Sequence, residues 1–227
     1  MNAAMPEELD PPVVAEPPEP ATAAVVWLHG LGADGHDFEP VAAELGRAGL
    51  HGVRYVFPHA PVRPVTINGG MAMRAWYDIT ESELDRRADE AGVRASAGIA
   101  RALVDEQIAH GIAAERIVLA GFSQGGAIAL FAGLRLPFRI AGILALSTYL
   151  PVAETLATEA HPASRDVPIF LAHGSQDPVI ALSLSERSGS TMAGLGYSVE
   201  VHTYPMPHSV CAEEIRDIGH WLQRVLA

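Results

Sequence analysis

The hexapeptide Gly121-Phe122-Ser123-Gln124-Gly125-Gly126 follows the apolar run Ile117, Val118, Leu119, Ala120 and precedes Ile128, Leu130, Phe131 and Leu134 at helical spacing. This reads as a strand, a sharp turn and a helix. A serine at such a turn is held in a strained conformation with its hydroxyl above the sheet, and the flanking glycines let strand and helix approach closely. The first N–H groups of the helix have no partner within it, so the Gln124 N–H can face an oxygen that becomes negative during acyl transfer. Gly-x-Ser-x-Gly alone also describes ordinary glycine-rich turns. The chemistry therefore depends on a base to take the serine proton and an acid to fix the tautomer of that base.

Of ten histidines, only His202, His208 and His220 follow the last strand candidates. His202 falls inside an alternating strand and His220 inside a C-terminal helix beside Trp221, which leaves His208 in a strand-to-helix loop. Asp177, in His173-Gly174-Ser175-Gln176-Asp177-Pro178, follows a strand and shares an edge of the sheet with Ser123. Asp166 precedes the same strand and belongs at the opposite edge. The chain order Ser123, Asp177, His208 suits a nucleophile elbow on an α/β scaffold.

The elements that must position these residues are short branched apolar runs alternating with helical segments, the pattern of a mostly parallel sheet with helices on both faces. Strands are expected at 24–29, 53–57, 116–121, 141–147, 167–173 and 198–204, with the Ile117 run in the middle of the sheet because it is apolar on both faces. A helix is expected within 81–111, behind a solvated stretch with Glu83, Asp85, Arg86 and Arg87. A last helix packs Ile215, Ile218, Leu222 and Val225 on one stripe, with Glu213 and Glu214 near its start, where the dipole favours anions. Residues 1–22, with six prolines by residue 20, read as a flexible tail before one domain spanning 23–227. The loop holding Tyr149 and Leu150 lies at the active edge and offers an apolar acyl groove, continued by Val179 and Ile180 beside Asp177. Met71, Met73 and Trp76 fit either groove or core, with Trp76 assigned to core.

Composition narrows the function. The net charge of −12 repels nucleic acid. All fifteen basic residues are Arg, which excludes Schiff-base and P-loop lysine chemistry. The single Cys211 allows no intrachain disulfide, and no signal-peptide pattern opens the chain, so a cytoplasmic location is expected. No apolar run is long enough for a membrane-spanning helix, so integral membrane association is not expected.

The chain resembles the bacterial carboxylesterases related to acyl-protein thioesterases and lysophospholipases. The resemblance covers nearly everything after Ala23. Its motifs are Leu28-His29-Gly30-Leu31-Gly32, Pro58-His59-Ala60-Pro61, Met73-Arg74-Ala75-Trp76-Tyr77-Asp78, Gly121 to Gly126, His173 to Pro178, and His208-Ser209-Val210. It implies an α/β-hydrolase fold, the triad Ser123, Asp177 and His208, and the backbone N–H groups of Leu31 and Gln124 as oxyanion hole. Pro207 departs from the family, which usually has Gly before the histidine, and proline fixes φ and removes an N–H. With no insertion large enough for a lid domain, the site should be open.

Three other readings compete. Gly30-Leu31-Gly32-Ala33-Asp34-Gly35 matches Gly-x-Gly-x-x-Gly after a strand, the place of a dinucleotide fingerprint. The following strand region, Val53 to Pro58, lacks the acid that would hold a ribose. As an oxyanion loop the same glycines bring backbone close to substrate, with Leu31 also walling the acyl chain. His29, Asp34, His36, Asp37 and His59 invite a metal reading, but their spacing fits no recognised site. Cys211 could be read as a nucleophile, but it is expected in the first turn of the last helix as a small buried or half-buried thiol. The expectation is a cofactor-free serine hydrolase of short- to medium-chain carboxylic esters or thioesters. Its substrate is a small-molecule or lipid-like ester or an acylated protein, with acyl-protein thioesterase or lysophospholipase activity as the alternative. A homodimer is left open.

Overall fold

A computed structural model describes residues 9–47, 49–80 and 89–227. Seven strands form one sheet in the order β1-β3-β2-β6-β7-β8-β9, and β4 and β5 make a separate hairpin. The strands are β1 (Val13–Ala15), β2 (Ala23–Leu28), β3 (Val53–Phe57), β4 (Val62–Val65), β5 (Met71–Arg74), β6 (Ile117–Phe122), β7 (Gly142–Leu146), β8 (Ile169–Gly174) and β9 (Val199–Tyr204). The helices are α1 (Glu39–Arg47), α2 (Glu90–Ala109), α3 (Gln124–Gly133), the single-turn α4 (Leu156–Glu159), α5 (Leu182–Gly194) and α6 (Ala212–Val225). Every pairing from β3 to β9 in the large sheet is parallel.

The side-chain alternation of a strand sorts β2 and β6 between two cores. Ala24, Val26, Leu28, Ile117 and Leu119 meet α2, α3 and α5 through Val104, Ile128 and Met192. Val25, Trp27, Val118 and Ala120 meet α1 and α6 through Leu45, Ile218 and Trp221. β6 is the fourth of seven strands, as its two-faced apolar run requires. All ten residues of α3 are buried, so the helix following Ser123 has no solvent face on which to shift.

Two strand features differ from the sequence expectation. Val13–Ala15, inside the segment expected to be a tail, pairs antiparallel with β3, Val14 opposite Val56. This strand is short and proline-flanked, as an edge strand tolerates. Residues 1–8 of that segment lie outside the described residues, as does the 81–88 stretch with its expected solvated charges. The hairpin β4–β5 was not anticipated, because Val-Arg-Pro-Val and Met-Ala-Met-Arg lack the alternation that marks a strand. In α6, Glu213 is exposed but Glu214 is fully buried. Burial pushes its carboxyl up to about 8, so the expected helix-start anion is a neutral acid at pH 7.

Candidate active site

Because β2, β6, β7, β8 and β9 are parallel, the loops leaving their carboxyl ends gather on one edge, where ligands of open α/β sheets bind. Ser123 leaves β6 with φ 54 and ψ −120, a conformation that strains any residue with a side chain. Its N–H donates to the Leu146 carbonyl at 2.8 Å, and its carbonyl accepts from Thr148 Oγ1 at 2.7 Å. The β7 end thereby holds the turn from both sides. A Cβ at Gly121 would collide with the Gly125 carbonyl, and one at Gly125 with the Leu28 and His29 carbonyls, so β2, β6 and α3 meet only because both positions are glycine.

His208 Nε2 lies 2.9 Å from Ser123 Oγ, and His208 Nδ1 lies 2.6 Å from Asp177 Oδ2. A carboxylate only accepts, so Nδ1 carries the proton and Nε2 accepts from the serine hydroxyl. The other Asp177 oxygen accepts from the N–H groups of Val179 and Ile180 at 2.8 and 2.9 Å. The carboxylate is thus oriented by its own turn, and its side chain is fully buried. His173, quoted in the sequence only as part of a motif, packs on this carboxylate, with Nε2 3.4 Å from Asp177 Oδ2 while donating to the Ile180 carbonyl at 2.9 Å. Burial pushes the His173 imidazole below its usual range, so it supports Asp177 as a neutral dipole.

Pro207 leaves the histidine in place. The loop around it is pinned by carbonyls, with Gln176 N–H donating to Met206 and Ser209 N–H to Pro207, and neither bond needs an N–H at position 207. The His208 ring rests against Phe122, centroids 4.7 Å apart. His202 stays in β9 beside Glu200, His220 is exposed on α6, and exposed Asp166 precedes β8. Cys211 is half-buried at the N-cap of α6, one residue before its first turn.

The glycine loop after β2 faces this site, where a Cβ on Gly30 would touch Phe122 and Ser123. Its neighbours are committed elsewhere: Gly32 N–H donates to the Arg74 carbonyl at 2.9 Å and Ala33 N–H to the Gly30 carbonyl. His29 fixes the loop root, since Nε2 accepts from Ala60 N–H at 3.0 Å and Nδ1 must then donate to the Gly30 carbonyl at 2.7 Å. Burial pushes the His29 imidazole down to about 4, which keeps this single tautomer at neutral pH. His59 Nδ1 accepts from Gly35 N–H, and Asp34 caps the N–H of His36. Among the described residues no group of three or more His, Cys, Asp or Glu is placed to hold a metal ion.

A cleft of about 250 Å³ contains Ser123, His208, Gln124 and Gly30 and is lined by Leu31, Tyr149, Val179 and Ile180. Leu150 is corrected: it is buried in the core, with its N–H on Ser188 Oγ, and Tyr149 alone of that loop reaches the cleft. Tyr77, Ile79, Phe122, Ala33 and Asp37 also line it. Sequence reasoning missed the first two because their segment carries no periodic pattern. For Tyr77, membership of the motif ending Trp76-Tyr77-Asp78 was the available signal. Trp76 is core, fully buried, whereas Met71 is exposed on the hairpin.

The sheet and the nucleophile elbow define the class as a serine hydrolase of the α/β-hydrolase fold. Residues 9–226 match the phospholipase/carboxylesterase family, and the chain belongs to that family. Acyl-protein thioesterase 1 of Mycosarcoma maydis is 42% identical, covering 90% of this chain and 92% of that protein. The Neurospora crassa protein of the same name is 40% identical, over 93% and 90%. Among solved structures, Arabidopsis thaliana SOBER1 superimposes with a TM-score of 0.86 at 30% identity, over 90% of this chain and 99% of that one. Zea mays acyl-protein thioesterase 2 gives 0.81 at 28%, over 95% and 99%. The protein is a serine ester or thioester hydrolase. No described helix is long and apolar enough to cross a membrane.

Proposed function

We propose that the protein hydrolyses short- to medium-chain carboxylic esters or thioesters through an acyl-enzyme on Ser123. The observation that carries this reading is the continuous hydrogen-bond chain Ser123 Oγ, His208, Asp177, at 2.9 and 2.6 Å. Ser123 Oγ attacks the carbonyl carbon as His208 Nε2 takes its proton, and Asp177 stabilises the imidazolium through Nδ1–H. The N–H groups of Leu31 and Gln124 receive the oxyanion. Collapse of the tetrahedral intermediate breaks the bond to the alkoxide or thiolate, which takes the proton from His208. Water, deprotonated by the same nitrogen, then attacks the acyl-enzyme and releases the acid. None of these steps draws on a cofactor.

The cleft volume favours modest acyl chains, since it lies below the ~300–1,000 Å³ of sites for drug-sized ligands. Similarity to acyl-protein thioesterases supports a second reading, acylated protein or a lipid-like ester as substrate on the same triad. A series of oxygen and thiol esters from acetyl to palmitoyl distinguishes them. The first reading expects kcat/KM to peak at short to medium chains, and a continued rise to palmitoyl would contradict it. The free thiol of Cys211 supports a cytoplasmic setting.

A further inference from the structure

The sequence assigns Gln124 a role only through its backbone N–H. The residue is nevertheless only 3% exposed, and both ends of its side-chain amide are hydrogen-bonded. Oε1 accepts from Trp76 N–H at 2.7 Å, and Nε2 donates to the Tyr77 carbonyl at 2.7 Å. Both amide ends therefore grip one peptide stretch, residues 74–77, that runs from β5 past the active edge.

That stretch touches the other half of the oxyanion hole. The Arg74 carbonyl accepts from Gly32 N–H at 2.9 Å, and Trp76 Nε1 donates to the His29 carbonyl at 2.9 Å. Gly32 and His29 lie either side of Gly30 and Leu31. The stretch is anchored on its outer side by Ser96 Oγ of α2, which donates to the Trp76 carbonyl, and it carries Tyr77, whose hydroxyl lies 3.0 Å from that of Tyr149 in the cleft wall. A rigid path thus runs from the Gln124 side chain through residues 74–77 to the loop bearing Leu31.

We propose that the Gln124 side chain is a positioning residue that clamps residues 74–77 and thereby sets the spacing between the two oxyanion donors. The inference rests on reading the Leu31 and Gln124 N–H groups as those donors. It explains why an amide is needed: one end must accept and the other must donate. Ionised glutamate would accept from Trp76 but set an oxygen against the Tyr77 carbonyl. Protonated glutamate restores one acceptor and one donor. The clamp acts on an oxyanion that exists only after attack, so its loss falls on kcat and spares KM.

Charged and titratable groups near the clamp are Arg74 within the stretch, Asp78 after it with its N–H on Asp89, Asp37 in the cleft lining, His29 after β2, His208 from the β9–α6 loop, and the Tyr77 and Tyr149 hydroxyls. All are common to wild type and variants, so the kcat ratio of variant to wild type isolates position 124.

The test compares Gln124→Glu and Gln124→Met with wild type on a p-nitrophenyl ester, with kcat normalised to sites titrated by a fluorophosphonate so that misfolded protein does not count. At about pH 8 both variants should lose about 10- to 100-fold in kcat with KM within about twofold. Lowering the pH to about 5.5 should raise the Gln124→Glu ratio as the buried carboxyl gains its proton, while the Gln124→Met ratio stays level. An unchanged kcat, a loss confined to KM, or a Gln124→Glu ratio that is flat or falls would overturn the clamp. Ser123→Ala, run alongside, reports separately on the underlying reading: if it still turns over or is labelled, the triad assignment fails, whatever Gln124 does.

Discussion

At the scale of single residues, the site depends on side chains held in one hydrogen-bonding state. Asp177 is oriented by Val179 and Ile180 N–H groups, so His208 meets an acceptor already in place. His29 depends on a neutral imidazole that accepts from Ala60 and donates to Gly30, and its folded pKa of about 4 lies below the ~6.5 of an unfolded histidine. The unfolded state therefore binds the proton more readily as pH falls. The stabilising contribution is complete above about pH 6.5 and is lost as pH drops through about 4. Melting temperature should accordingly decline from pH 7 to pH 4 more steeply in wild type than in His29→Ala, which should itself cost about 1–3 kcal/mol at pH 7 by leaving the Ala60 and Gly30 groups unpaired. Parallel declines in the two proteins would refute this account of His29.

At the scale of elements, the close contact of β2, β6 and α3 determines where Ser123 stands. Gly125→Ala places a methyl on the Leu28 and His29 carbonyls, and α3, buried on every side, cannot move away. It should cost about 1–3 kcal/mol in a denaturant titration, and should lower kcat further by displacing the turn. A fully active, equally stable variant would show that the elbow tolerates more space than its geometry indicates. The same elements explain what was legible in the sequence. The strands β2, β3, β6, β7 and β8 stood out because their mostly buried faces leave apolar runs, the edge strand β9 because its residues alternate, and the triad followed from chain order along their ends. β1 and the β4–β5 hairpin were hidden, because an edge strand among prolines and a solvated hairpin carry no such signal. Leu150 was misplaced since loop position alone does not say which way a side chain turns. The Gln124 clamp was invisible because residues 76 and 77 lie 48 and 47 positions away along the chain.

At the scale of the whole molecule, residues 10–16 are joined to the sheet and to the β5 end. Beyond the β1–β3 pairing, Glu16 meets Arg54 at 2.8 Å, and Asp10 meets Arg74, the first residue of the stretch gripped by Gln124, at 2.6 Å. These ion pairs are partly exposed and weak, so the strand hydrogen bonds carry most of the effect. Deleting residues 1–20 should cost about 2 kcal/mol and lower Tm by roughly 4–8 °C, while kcat stays close to that of the full chain. An unchanged Tm in differential scanning calorimetry would show that β1 adds nothing to the domain.

The central claim, an acyl-enzyme on Ser123 activated by His208 and Asp177, is tested most directly by fluorophosphonate labelling read by peptide mass spectrometry. Wild type should carry the label on the peptide containing Ser123, with labelling slowed while a slowly deacylating ester occupies that serine as acyl-enzyme, and Ser123→Ala should carry none. Label on any other residue, or labelling that survives in Ser123→Ala, would contradict the account.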